Sequence, residues 1–94
     1  MLFRSHALDI GLVHTTVPAN ALDATVDGVL REVLTAGPQA IAAAKQLIAD
    51  AWNAAPDDAP ALTAGVLAER RASVEGQEGL RAFLEKRKPA WTRA

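Results

Sequence analysis

The chain contains no cysteine and no tyrosine. Without a thiol there is no disulfide and no thiolate metal site, and a reducing cytoplasm is the simplest compartment. Only Phe3, Trp52, Phe83 and Trp91 are aromatic, so burial has to come from aliphatic side chains and alanine. No apolar run approaches the roughly 18 residues that a spanning helix needs, so no membrane partner is expected. The opening "MLFRSHALDIGLVH" lacks a sustained apolar core and does not look like a signal peptide. Neither standard glycine-rich phosphate loop occurs. His6 and His14 are the two histidines, and no carboxylate pair joins them at ligand spacing, so no metal is expected. Ser5, His6 and Asp9 supply the residue types of a hydrolytic triad but would be neighbours on a fraying helix start, without a base held by an orienting group. No catalytic residue is assigned.

What is present favours helix. Half of the 94 residues are hydrophobic, and alanine, the best helix former, makes up much of that share. A chain of this length forms one small domain at most, burying only about 60–65% of its unfolded surface. Residues 1–68 carry three basic and seven acidic side chains, and residues 69–94 seven basic and four acidic, so a tail of net +3 follows a body of net −4. That asymmetry points to a local anionic partner and is too weak for general nucleic-acid binding.

Along the chain, Ser5–Ile10 reads as a short helix closed by Gly11. Leu12–Val17 is rich in β-branched residues and reads as a short strand or extended link, stopped by Pro18. Asn20 is a candidate N-cap for a helix whose buried face is Leu22, Val26, Val29, Leu30 and Val33. Gly37-Pro38 breaks the pattern, and Pro38 opens a helix to about Asn53 with an inner stripe of Ile41, Ala44, Ile48 and Trp52. Lys45 falls on its solvent side. Asp57 or Asp58 caps a helix over Ala59–Ala72, with Leu62, Val66 and Leu67 apolar. Ser73 caps a last helix, Val74–Arg87, with Pro89 just beyond it. Glu69, Glu75, Glu78 and Glu85 read as helix-surface acids. The expected fold is all-α: four to five helices with one short extended segment. A lone strand would leave its backbone groups unpaired, which suggests a missing neighbour.

The last helix, in "SVEGQEGLRAFLEKRKPAW", carries the densest pattern. Leu80, Phe83, Leu84 and Arg87 share one face. Phe83 and Lys86, three residues apart, lie about 60° from each other around a helix axis. Two readings stay open. Phe83 is core and Lys86, Arg87 and Lys88 form a solvated helix end, where cations favour the negative pole. Alternatively, ring and ammonium together meet a flat, phosphorylated ligand.

This stretch resembles the C-terminal signature of the enoyl-CoA hydratase/isomerase (crotonase) superfamily, through Ser73, Glu75, Glu78-Gly79, Ala82-Phe83, Glu85-Lys86-Arg87, Pro89 and Trp91. Glu75 stands where the family usually has aspartate. "ALDIGLVHTTVP" resembles a second family element, with Thr16 for a common valine, and "AGPQAIAAAKQLI" a third. The three occur in family order. The ending looks closest to hydratases acting on branched or methylglutaconyl-type thioesters.

The resemblance covers about the last third of a typical member. It implies that this chain is the C-terminal helical region of a protein whose spiral core, with the oxyanion hole and catalytic acids, is absent. The parent would add water across a 2-enoyl-CoA double bond, or isomerise it. The chain itself would be inactive, supplying oligomerisation and contacts to coenzyme A through Phe83 and Lys86. The acyl-CoA is then a substrate of the parent, and no cofactor is implied. Arg87 and Lys88 would be surface charge, Trp91 a packing or acyl-pocket residue, and Trp52 core or interface. The competing expectation is a helical self-association module with no enzymatic role. Exposed helix faces predict a dimer or higher oligomer in either case.

Overall fold

A computed structural model of the protein describes residues 2–92. Five α-helices and two short 3₁₀ turns account for its regular structure, and no strand occurs among the described residues. The chain is therefore all-α, as its composition requires. It divides into two compact units, residues 1–32 and 33–94.

In the first unit, α1 spans Leu2–Asp9. Its end is a Schellman closure: Gly11 N–H donates to the Leu8 carbonyl at 3.1 Å and Leu12 N–H to the Ala7 carbonyl at 2.9 Å. That closure needs a left-handed residue between the two donors' turns, and Gly11 supplies it with φ of 75°. Leu12–Val17 is a bent, irregular link rather than a strand, because it has no neighbour to pair with.

A 3₁₀ turn over Ala19–Ala21 runs into α2, Leu22–Val33. Asn20 therefore lies inside a turn and does not cap. Pro18 takes the N-cap position, and its carbonyl accepts from Ala21 N–H at 2.9 Å. The apolar residues of α2 do recur at helical spacing, but Leu22, Val26, Val29, Leu30 and Val33 all remain exposed.

The second unit holds α3 (Pro38–Asn53), α4 (Ala59–Ala72) and α5 (Val74–Leu84), with all three packed against one another. The starts of α3 and α4 follow from local signals. Pro38 and Pro60 sit in first turns, where a missing N–H costs nothing. Asp58 holds the N-cap position of α4, yet its side chain makes no capping bond.

The inner face of α3 is rotated by about one residue from the expected stripe. Ile41, Ala43, Leu47 and Ala51 are half-buried, whereas Ile48 is 71% and Trp52 88% exposed. Trp52 is thus no core residue of this chain. On α4, Leu62 and Val66 turn inward and Leu67 turns out.

Ser73 ends α4 and starts α5. Its extended backbone (φ −68°, ψ 157°) breaks the helix, its hydroxyl donates to the Arg70 carbonyl at 2.6 Å, and it accepts from Gly76 N–H at 3.0 Å. Such a cap contributes about 1 kcal/mol. The corner is tight. A Cβ on Gly76 would collide with the Arg70 backbone carbonyl oxygen, so only glycine fits there.

The inward side of α5 is not apolar. Glu75, Gly76, Glu78, Gly79 and Ala82 face the unit, and Ala82, 1% exposed, is the most enclosed side chain of the described residues. Leu80, Phe83 and Leu84 point outward. α5 also ends earlier than its periodicity predicts, at Leu84 rather than Arg87.

Candidate functional site

The site predicted from sequence lies at the C-terminal end of α5. Phe83 is on the last helical turn, with its ring 80% exposed. It lines an open groove of about 290 Å³ together with Leu80, Gly79, Gly76, Trp91, Arg70 and Glu75. Phe83 is therefore not buried within this chain.

Lys86 is not beside Phe83 on a helix face. It sits past the helix end in the left-handed region, with φ of 53°, so the 60° relation calculated for a continuous helix does not hold. The two residues are linked through the backbone: Lys86 N–H donates to the Phe83 carbonyl at 3.2 Å. Arg87 N–H donates to the Ala82 carbonyl at 3.0 Å. These two bonds make the same Schellman closure that ends α1, with lysine in place of glycine. Lys86 does not line the groove.

Arg87 is not loose surface charge. Its two terminal nitrogens hold both oxygens of Glu78, at 2.7 and 3.0 Å, and its Nε donates to Glu85 at 2.5 Å. Glu78 Oε1 also accepts from Ala90 N–H at 3.0 Å. Hydrogen bonds from Arg87 and from that amide lower the Glu78 carboxyl from 4.5 to about 2, and the same pairing raises the Arg87 guanidinium further above its ordinary value. Sequence reasoning placed both residues on the surface, because a pair nine residues apart has no helical signature.

With Arg87 neutralised, the positive charge described at this end lies, besides Arg81 in the last turn of α5, on Lys86 and Lys88. Neither has a carboxylate partner among the described residues.

The 3₁₀ turn Ala90–Thr92 directs Trp91 back over α5. Its Nε1–H donates to the Thr35 carbonyl at 3.1 Å. Its ring leaves so little room at Gly79 that a Cβ there would meet Cη2 at 3.1 Å. Trp91 is a packing residue and one wall of the groove.

Opposite it, Glu75 reaches α3. Its carboxylate accepts from Gln39 N–H at 3.0 Å and from Ala40 N–H at 2.8 Å, two amides of the first turn. The negative charge thus sits on the positive helix end, which Gly37 leaves without a side-chain cap. This exceeds the surface role expected for Glu75.

The remaining candidates do not converge. No group of three or more metal-ligating side chains occurs among the described residues, and none of their helices is long and apolar enough to cross a membrane. Lys45 is exposed on α3.

The family model described as enoyl-CoA hydratase/isomerase matches residues 4–94. The enoyl-CoA hydratase domain-containing protein 3, mitochondrial, of Xenopus laevis is 34% identical over 86 residues, covering 92% of this chain and 29% of that protein. Its namesake in Danio rerio is 29% identical over 91 residues, covering 97% of this chain and 32% of that protein. The chain therefore spans about a third of the length of these relatives. Both are named mitochondrial, which lends no support to the cytoplasmic placement expected from the missing cysteines. No solved structure matches. A match running from Arg4 through the whole of α5 and its closing turn assigns this chain to the enoyl-CoA hydratase/isomerase family.

Proposed function

We propose that this chain acts as the C-terminal helical region of an enoyl-CoA hydratase-like protein, gripping the coenzyme A part of a thioester and joining subunits, without catalytic residues of its own. The whole protein would add water across a 2-enoyl-CoA double bond or isomerise it, with the oxyanion hole and acids supplied from elsewhere. The observation that carries this reading is an exposed Phe83 on a groove walled by Trp91, with Lys86 and Lys88, outside the groove but just past the same helix end, free of carboxylate partners among the described residues. A ring offers a face for adenine or pantetheine, and an ammonium meets phosphate. A reducing compartment, cytoplasm or mitochondrion, suits a chain without cysteine.

The test is titration with coenzyme A. Wild type is expected to bind more tightly than Phe83→Ala or Lys86→Ala, and equal affinities would remove those residues from the site. Mixed with crotonyl-CoA, the 94-residue chain is expected to leave the enoyl absorbance unchanged, and turnover would overturn the division of labour.

A second reading, a helical self-association module, is favoured by one observation: the apolar faces of α2 and of Phe83 and Leu84 lie open. Exposed apolar surface of this extent drives association. Both readings predict a dimer or larger species in sedimentation. A protein ligand bound by the chain with no thioester present would favour the second.

A further inference from the structure

We propose that Glu78 is a positioning residue for Lys86: its carboxylate, acting through Arg87 and Ala90, holds the Lys86 backbone left-handed and so sets where the ammonium points. The functional half of this inference rests on the reading that Lys86 touches coenzyme A. The conformational half does not.

Local sequence gives α5 no reason to stop at Leu84. Glu85, Lys86, Arg87 and Lys88 are all good helix formers. Pro89 requires the helix to stop at or before Lys88, but does not place the stop as early as Leu84. Yet the helix ends at Leu84, and Lys86 takes φ of 53° without being glycine. Left-handed backbone is unfavourable for a residue with a Cβ, so something outside the turn holds it.

Geometry identifies the holder. On a continuous helix, Arg87 would lie about 180° around the axis from Glu78 and about 13.5 Å further along it, since each residue advances 100° and 1.5 Å. A two-pronged pair is impossible there. In the structure the two groups meet at 2.7 and 3.0 Å. Only the reversal at Lys86 brings Arg87 back. The same carboxylate takes Ala90 N–H at 3.0 Å, tying down the chain after the reversal. Helix continuation and the Glu78 contacts are therefore mutually exclusive. Two oxygens receiving three N–H donors form a charge-assisted cluster strong enough to select the turn.

The experiment uses the full chain and two readouts. The sign of φ at residue 86 is read from backbone chemical shifts and the amide–Hα coupling. Glu78→Gln is expected to release residue 86 to negative φ and lengthen α5. Arg87→Lys, which keeps the charge but loses the fork, is expected to do the same. In Glu78→Gln combined with Lys86→Gly the turn is expected to persist, because glycine adopts positive φ freely. A left-handed residue 86 in both single variants would overturn the proposal.

The second readout is affinity for coenzyme A. Glu78→Gln is expected to weaken it about tenfold, as much as Lys86→Ala does, with no further loss when Glu78→Gln and Lys86→Ala are combined. Full additivity would overturn the proposal. A wild-type chain that fails to bind coenzyme A sinks the contact reading instead, and the conformational readout then decides on Glu78 alone.

Discussion

Gly11 and Lys86 occupy the same position in two helix ends that close with the same pair of hydrogen bonds. At the end of α1 the left-handed residue is glycine, with φ of 75°, and at the end of α5 it is lysine, with φ of 53°. A Cβ in that region costs roughly 1–2 kcal/mol, part of which glycine gives back through its larger unfolded-state entropy. Lys86→Gly is therefore expected to raise stability by about 1 kcal/mol, and Gly11→Ala to lower it by a similar amount, in urea unfolding. A Lys86→Gly protein less stable than wild type would mean that the lysine side chain makes contacts that outweigh the strain.

Gly76 presents the opposite case, a glycine required by space rather than by φ. Its missing Cβ is what lets α5 leave α4 past the Arg70 carbonyl. The obstacle is backbone, which cannot rotate away. Gly76→Ala is expected to cost at least about 2–3 kcal/mol, in the range of overpacked cores, and to break the Ser73 cap. Circular dichroism and the thermal midpoint measure this. A midpoint within a degree or two of wild type would show that the corner can open.

How much of this was legible beforehand depends on where the cause lies. The starts of α3 and α4 and the α4–α5 break were readable, because Pro38, Pro60 and Ser73 act within one turn of themselves. The inner face of α3 was not. In "PQAIAAAKQLIADAWN", alanines fill the positions around the larger residues, so Ile41-Ala43-Leu47-Ala51 and Ile41-Ala44-Ile48-Trp52 make equally good stripes. Packing on α4 and α5 chose the first.

The end of α5 was misplaced for a related reason. Propensity carries the helix through Arg87, whereas the contacts of the Glu78 carboxylate, nine residues back, require the chain to turn first. Of the predicted site, Phe83 is exposed on a groove, while the supporting pairs Glu78–Arg87, Glu75–α3 and Trp91–Thr35 carry no local signal. Glu75 and Glu78 looked like surface acids because their partners are backbone amides and a distant arginine.

The Glu78 cluster sets an acid limit. Its carboxyl titrates near 4.5 when unfolded and at about 2 when folded. A folded value below the unfolded one means that the cluster's stabilisation is fully present above about 4.5 and disappears as the pH falls toward 2. The gap in stability between wild type and Glu78→Gln is expected to be constant from pH 7 to 5 and to close between about pH 4.5 and 2. Urea midpoints for both proteins across that range provide the check. A gap that persists at pH 2 would place its origin in shape rather than charge.

Glu75 makes a contact between helices that depends on the length of its side chain. The carboxylate spans from the first turn of α5 to the Gln39 and Ala40 amides at 3.0 and 2.8 Å. Aspartate is one methylene shorter, about 1.5 Å of reach, and cannot hold both amides without drawing the helices together. Close approach at Gly37, where even a Cβ would strike the Glu75 carboxylate, shows that the contact is already tight.

Glu75→Ala is expected to cost about 1–2 kcal/mol, the size of a lost N-cap with its helix-end charge. Glu75→Gln keeps one of the two acceptor oxygens and loses the charge, and should cost less than alanine. Glu75→Asp is expected to fall between wild type and alanine. Amide exchange is the specific readout: Gln39 and Ala40 should lose protection in all three variants while the middle of α3 keeps its own. Uniform loss along the whole helix would mean that Glu75 supports the packing of α5 generally and is not the cap of α3.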